Sequence, residues 1–77
     1  MKRIALKEPT RVFGKHPDPD PRLYQILEHL EAGAKVEIGD PVLVVYDHRD
    51  QHALPFDYKG ETFYFLAAEA QYEIMVN

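Results

Sequence analysis

The chain has 77 residues, contains no cysteine and carries a formal net charge of -4. This length allows one domain, residues 1–77, whose folding hides only about 60–65% of the surface that the unfolded chain exposes. The lack of cysteine excludes disulfides, thiolate zinc sites and iron–sulfur clusters. No apolar run reaches the roughly 20 residues of a membrane helix, so we expect a cytoplasmic domain with a marginal core.

The charge is unevenly distributed along the chain. Residues 1–16 hold five basic residues against Glu8 alone, a net charge of +4, whereas residues 17–77 carry a net charge of -8. This pattern indicates that the basic head, with Lys2, Arg3 and Lys7, contacts an acidic partner or the acidic body of another copy. A solvated first strand is the alternative.

The N-terminal segment predicts a strand followed by a spacer. Ile4 and Leu6 alternate with polar or small residues, which is typical of a half-buried strand. Asp and Pro alternate between Gly14 and Pro21, and proline fixes its own φ and favours extended geometry before it. We therefore expect a stiff, exposed spacer there.

A helix is predicted over residues 21–32. Asp20 suits an N-cap, Pro21 suits the first helical position and Gly33 suits the C-terminal end. The apolar residues that follow are spaced i, i+3, i+4 and i+7, which gives one apolar helix face: Leu23, Ile26, Leu27 and Leu30.

The remainder of the chain predicts strands joined by short turns. Alternation or apolar runs mark residues 36–38, 42–46, 54–58, 62–66 and 72–76, with a polar loop over 47–52 and a tight turn at Lys59-Gly60. Pro55 cannot donate to a ladder, so its strand is expected at an edge or a bulge. The expected class is α+β: a small twisted antiparallel sheet or partial β-barrel of about five strands with one helix.

Few residues suit catalysis. The chain has no serine or cysteine, Thr10 and Thr62 have no obvious base beside them, and the four glycines stand apart rather than forming a phosphate loop. We therefore predict that the protein is not an enzyme and holds no cofactor.

One cluster has the composition of a metal site. Two imidazoles and two carboxylates fall within six residues, at Asp47, His48, Asp50 and His52, and are candidate ligands for a divalent metal. A solvated turn between two strands is the interpretation that we prefer, and it leaves the chain without a metal.

Direct nucleic-acid binding is disfavoured by the acidic body, which repels phosphate. The nine aromatic residues are many for so short a chain to bury. Exposed Tyr and Phe are frequent interface anchors. The candidate protein-binding residues on the aromatic strands are Phe56, Tyr58, Phe63, Tyr64 and Phe65.

Three segments carry a family resemblance. Residues 36–44 hold a Gly-Asp turn between apolar strands, residues 59–66 hold Lys-Gly-Glu before an aromatic strand, and residues 72–76 form a closing strand. Together they make residues 35–77 similar to the C-terminal half of GroES-like co-chaperonins, although that family's mobile loop and roof hairpin are missing.

The resemblance implies a barrel and a ring of subunits. In that family the closing strand pairs with the first strand of the neighbouring subunit, and residues 2–7 would be that strand here. Ile26 and Leu27 are the apolar pair that would replace the docking loop. Residues 4–10, followed by a compact acidic body, are also similar to small tailed-bacteriophage accessory proteins.

The sequence thus predicts a non-catalytic protein-binding or assembly module. Such a β-domain oligomerises or docks on a larger complex, for example as a phage structural or accessory protein in the host cytoplasm or virion. The alternatives are an acidic inhibitor or regulator of a host protein, a GroES-like co-chaperonin and a metal-dependent enzyme at residues 47–52. The expected partner is another protein or a second copy, with no membrane.

Overall fold

The computed structural model describes residues 2–76, apart from the side chains of Leu27 and Glu28. These residues form eight strands: β1 (Lys2–Leu6), β2 (Thr10–Lys15), β3 (Leu23–Leu30), β4 (Lys35–Ile38), β5 (Val42–Tyr46), β6 (Arg49–Tyr58), β7 (Glu61–Leu66) and β8 (Tyr72–Ile74). No helix occurs within residues 2–76, and hence none that is long and apolar enough to cross a membrane. The predicted α+β class, with about five strands, is wrong: the chain is all-β.

The segment predicted as a helix over 21–32 is strand β3, which pairs antiparallel with β2. Leu23 packs in one hydrophobic cluster, whereas Ile26 and Leu30 pack in another. Because successive strand residues point to opposite faces, a strand buried on both faces can carry the i, i+3, i+7 spacing that also fits a helix. The β2–β3 pairing shifts register between Arg11 and Phe13, where β2 advances by two residues and β3 by four, from His29 to Gln25.

All eight strands belong to one sheet with the order β3-β2-β7-β6-β4-β1-β8, and β5 also pairs with β6. One edge of β6 pairs with β7, and the other pairs first with β5 and then, at Phe56, with β4. A parallel bridge joins Arg22 to Val45, whose N–H donates to the Pro21 carbonyl at 2.9 Å. The sheet therefore curls until the start of β3 lies beside β5, while β8 forms the far edge.

The core is divided between the two faces of the central strands. The larger cluster consists of Ile4, Leu6, Val12, Leu30, Val36, Ile38, Leu54, Phe56, Phe65 and Ala70. The smaller cluster consists of Phe13, Leu23, Val44, Ala53 and Leu66. Neighbouring residues of β2, β6 and β7 point into different clusters, so these three strands are buried on both faces.

Pro55 lies inside the sheet, at the place where β6 changes partner. Ala53 is the last residue of β6 that pairs with β5, and Phe56 pairs with β4. The Pro55 carbonyl accepts the Gly39 N–H at 2.9 Å. The missing N–H of proline therefore falls where the ladder is already interrupted, which is why an interior strand tolerates it.

Two tight turns connect the hairpins. Lys59 and Gly60 have φ values of 53° and 81°, and this turn was predicted. Asp47 and His48 have φ values of 54° and 62°, so the second turn also has two residues. The six-residue loop expected over 47–52 is wrong, because residues from Arg49 onward join β6.

Candidate protein-binding surfaces

The aromatic hairpin β6–β7 is mainly core. Phe56 and Phe65 are buried, and their ring centroids lie 5.1 Å apart in the larger cluster. Phe63 and Tyr58 are half-buried at the margin of that cluster, whereas Tyr64 is half-buried against the smaller one. Of the five aromatic candidates, only these last three retain exposed surface for a partner.

The basic candidates of β1 do not form one patch. Lys2 shares the face of Ile4 and lines a small cavity of about 160 Å³ with Tyr72, whereas Arg3 and Lys7 occupy the opposite face. Lys7 is used within the chain, since its Nζ lies 3.5 Å from a carboxylate oxygen of Glu73. Among residues 2–76, neither Lys2 nor Arg3 has an ion pair within 4.0 Å.

The apolar pair that was expected to dock on a partner lies on β3. Ile26 is half-buried against the larger cluster and so contributes to the core. The side chain of Leu27 lies outside the described part of the chain. The structure therefore assigns a packing role to Ile26.

The four metal candidates are spread along a hairpin. Asp47 and His48 occupy its turn, and Asp50 and His52 project from one face of β6. All four are exposed. In the described part of the chain, no group of three or more His, Asp or Glu side chains is arranged to hold a metal ion.

Asp20 and Arg22 fix the entry of the chain into β3. The Arg22 guanidinium and backbone N–H both donate to the Asp20 carboxylate, at 2.6–3.0 Å. These bonds favour the ionised carboxylate and lower the pKa of Asp20 from 3.8 to about 2. Arg22 is exposed and Asp20 is half-buried at the surface, so the effect of the pair is to shape the turn rather than to create a reactive site.

A second charged contact ties β2 to the turn after β7. Arg11 donates to both carboxylate oxygens of Glu69, and this hydrogen bonding raises the pKa of Arg11. Its guanidinium also lies over the rings of Phe13 and Tyr46, at 5.3 and 5.8 Å from their centroids. Arg11 is therefore occupied within the fold.

An open groove lies at the end of β4. Leu30, Ala34, Val36 and Tyr58 supply its apolar wall, and its volume is about 380 Å³. Charges of both signs stand around it: Arg3, Lys35, Glu37 and Asp57. This mixed rim selects no particular class of ligand.

The edge strand β8 was linked to a partner only through the family resemblance, and none of its residues was among the candidate binding residues. Among the described strands it pairs with β1 alone. Met75 N–H donates to the Arg3 carbonyl at 2.9 Å, and Lys7 N–H donates to the Gln71 carbonyl at 2.8 Å. Because the direction of backbone groups alternates along a strand, the N–H and C=O groups of the intervening residues point to the open edge.

The residues that face this open edge are apolar. They are Tyr72 and Ile74 of β8, followed two residues after the strand by Val76; Ile74 and Val76 are 55% and 92% exposed. Ile74 stands opposite the buried Ile4 and so shares the face of the larger cluster. An apolar stripe therefore continues from the core into solvent along an unpaired backbone edge.

The sequence did contain a signal for this edge. Natural proteins usually protect an edge strand with lysine, proline or a bulge. Residues 72–76 contain no lysine and no proline. Their alternation was recognised, but their position at the sheet edge depends on the topology.

Comparison with models of protein families, with curated proteins and with solved structures finds no significant match to this chain.

Proposed function

We propose that the protein is a non-catalytic protein-binding and assembly module that docks through the open edge of β8. The observation that carries this proposal is the combination of outward backbone groups with the exposed side chains of Ile74 and Val76. An added strand satisfies the backbone groups, and apolar contacts along the same stripe add affinity. Both contributions come from one short segment.

The two threonine hydroxyl groups are engaged in local contacts within the fold. The Thr10 hydroxyl donates to the Glu8 carbonyl at 2.9 Å, and the Thr62 hydroxyl donates to the Asp57 carboxylate at 2.9 Å. Each hydroxyl is thus held in a turn or hairpin contact, and neither is paired with a histidine base.

Capture experiments with matched variants test the proposal. Ile74→Lys places a charge on the docking edge, whereas Leu43→Lys places the same charge on β5, where Leu43 is 62% exposed. We expect immobilised wild-type protein to retain a bound protein, either a second copy or another chain. The Leu43→Lys variant should retain the same protein, and the Ile74→Lys variant should lose it. Equal capture by all three proteins would contradict docking through β8.

The dependence on salt separates apolar docking from docking by the acidic body. Pairing through β8 depends on backbone hydrogen bonds and apolar contacts, so it survives high salt. A complex that dissociates at high salt and is indifferent to Ile74→Lys would favour the acidic inhibitor instead.

A further inference from the structure

The backbone of the β8 edge is complementary to itself. Tyr72 and Ile74 direct their N–H and C=O groups outward, because Gln71, Glu73 and Met75 face β1. If a second β8 strand runs antiparallel about a twofold axis at Ile74, the two Ile74 residues face each other, and Tyr72 faces Val76 once Val76 extends the strand. The Ile74–Ile74 pair then exchanges both of its backbone hydrogen bonds, and so does each Tyr72–Val76 pair, whereas the Glu73–Met75 pairs between them exchange none.

We propose that the partner at this edge is a second copy of the chain, joined by antiparallel pairing of the two β8 strands with Ile74 opposite Ile74. This inference rests on the proposed docking through β8 and identifies its partner. It extends the sheet of one copy directly into the sheet of the other.

The side chains favour this register. Ile74 lies on the face of the larger cluster, and Tyr72 stands opposite the buried Leu6 on the same face. The pairing therefore joins the apolar stripes of both copies on one side of the extended sheet. A shift of one residue would turn the two stripes to opposite sides.

Avoidance of like charges supports the same arrangement. On the outer face Glu73, whose carboxylate lies 3.5 Å from Lys7 Nζ of its own copy, meets the uncharged Met75 of the second copy. A twofold axis at Glu73 would instead oppose two carboxylates.

The interface is small. Each copy contributes a short strand and two strongly exposed apolar side chains, well below the ~800 Å² per partner of a standard interface. The dimer is therefore in exchange with the monomer, with a Kd on the order of micromolar to millimolar.

Sedimentation of the full chain tests the association. We expect wild-type protein and the Leu43→Lys variant to pass from monomer to dimer between about 10 μM and 1 mM, and Ile74→Lys to remain monomeric over that range. Circular dichroism and urea denaturation confirm that Ile74→Lys keeps the fold. A wild-type protein that is monomeric at the highest concentration overturns the proposal.

Disulfide trapping tests the register, because the chain has no cysteine of its own. Facing residues in a hydrogen-bonded antiparallel pair have Cα atoms about 5.5 Å apart, within the range of a disulfide. Under mild oxidation, Ile74→Cys should form covalent dimers at least about tenfold faster than Leu43→Cys, which is more exposed. Equal rates overturn the register.

The two proposals fail in different ways. If Ile74→Lys abolishes capture of a different protein while the wild type stays monomeric, docking through β8 stands and the second copy is overturned. If neither self-association nor capture depends on Ile74, both proposals are overturned.

Discussion

Replacement of Phe65 by alanine tests whether the aromatic hairpin is core or binding surface. Phe65 is 0% exposed and packs against Phe56 in the larger cluster. Removal of a buried phenylalanine ring costs about 3–5 kcal/mol, from lost transfer free energy and the cavity left behind. A domain of this length has a total free energy of unfolding of about 4–12 kcal/mol. Phe65→Ala should therefore remove much of the stability.

The assay is urea denaturation followed by circular dichroism. With a slope of roughly 1 kcal/mol per molar urea, Phe65→Ala should lower the midpoint by about 3 M or leave the chain unfolded in buffer. Phe65→Leu keeps more volume and should give a smaller loss of the same sign. Leu43→Ala is the control, because a 62% exposed side chain should change stability by no more than about 0.5 kcal/mol.

The reasoning would be refuted by a Phe65→Ala variant within about 1 kcal/mol of the wild type. That result would mean that the ring is not enclosed between β6, β7 and the strands that cover them. If such a stable variant also lost a protein partner, Phe65 would be an interface anchor, as the sequence alone suggested.

Three further predictions follow from the turns and the charged contacts. Gly60→Ala should lower the free energy of unfolding by about 1 kcal/mol in the same titration, because φ is +81° and nothing lies within 4 Å of the added Cβ, so that only backbone strain acts. The Asp20 carboxyl should titrate in carboxyl-carbon NMR with a pKa of about 2, and Arg22→Gln should move that pKa back toward 3.8. Because folding lowers this pKa, the ionised carboxylate stabilises the folded state fully above pH 3.8, and this contribution is lost as the pH falls through about 2. Glu69→Gln should cost less than about 1 kcal/mol in urea titrations, and Arg11→Ala should cost more, because the guanidinium also lies over two aromatic rings at 5.3 and 5.8 Å.

Local patterns predicted the strands that follow residue 34. Val36 and Ile38 alternate with charged residues and are both buried on β4, as the period of two requires. The Lys59-Gly60 turn was likewise readable, because Gly60 suits positive φ and separates two alternating runs. These features depend on neighbours within a few residues.

The error at β3 has a local cause. Asp20 does accept the Arg22 backbone N–H at 2.9 Å, as a helix N-cap would. The same bond also closes an Asx turn, after which the chain continues as a strand. Which continuation is more stable depends on β2 and on the two clusters that bury Leu23 and Leu30, and that information lies outside the segment.

The candidate surface was predictable only in part. Alternation places Phe63 and Phe65 on one face of their strand, but it cannot say that both faces of β7 are covered. Ile74 was found as a strand residue, yet its exposure follows from the position of β8 at the edge. Long-range strand order, rather than local pattern, decides which side chains remain in solvent.

That strand order also governs how the chain reaches its native state. The pairing of Phe13 with Tyr64 joins β2 to β7, and the pairing of Ile4 with Ile74 joins β1 to β8. Both close loops of about 50 residues or more, whose entropy is lost before the contacts are gained, so folding on a timescale of about milliseconds to seconds is expected. Until β8 pairs with β1, Ile4 and Leu6 lie on a strand with one edge open to other chains. Because open strand edges favour aggregation, refolding from urea is best carried out at low protein concentration.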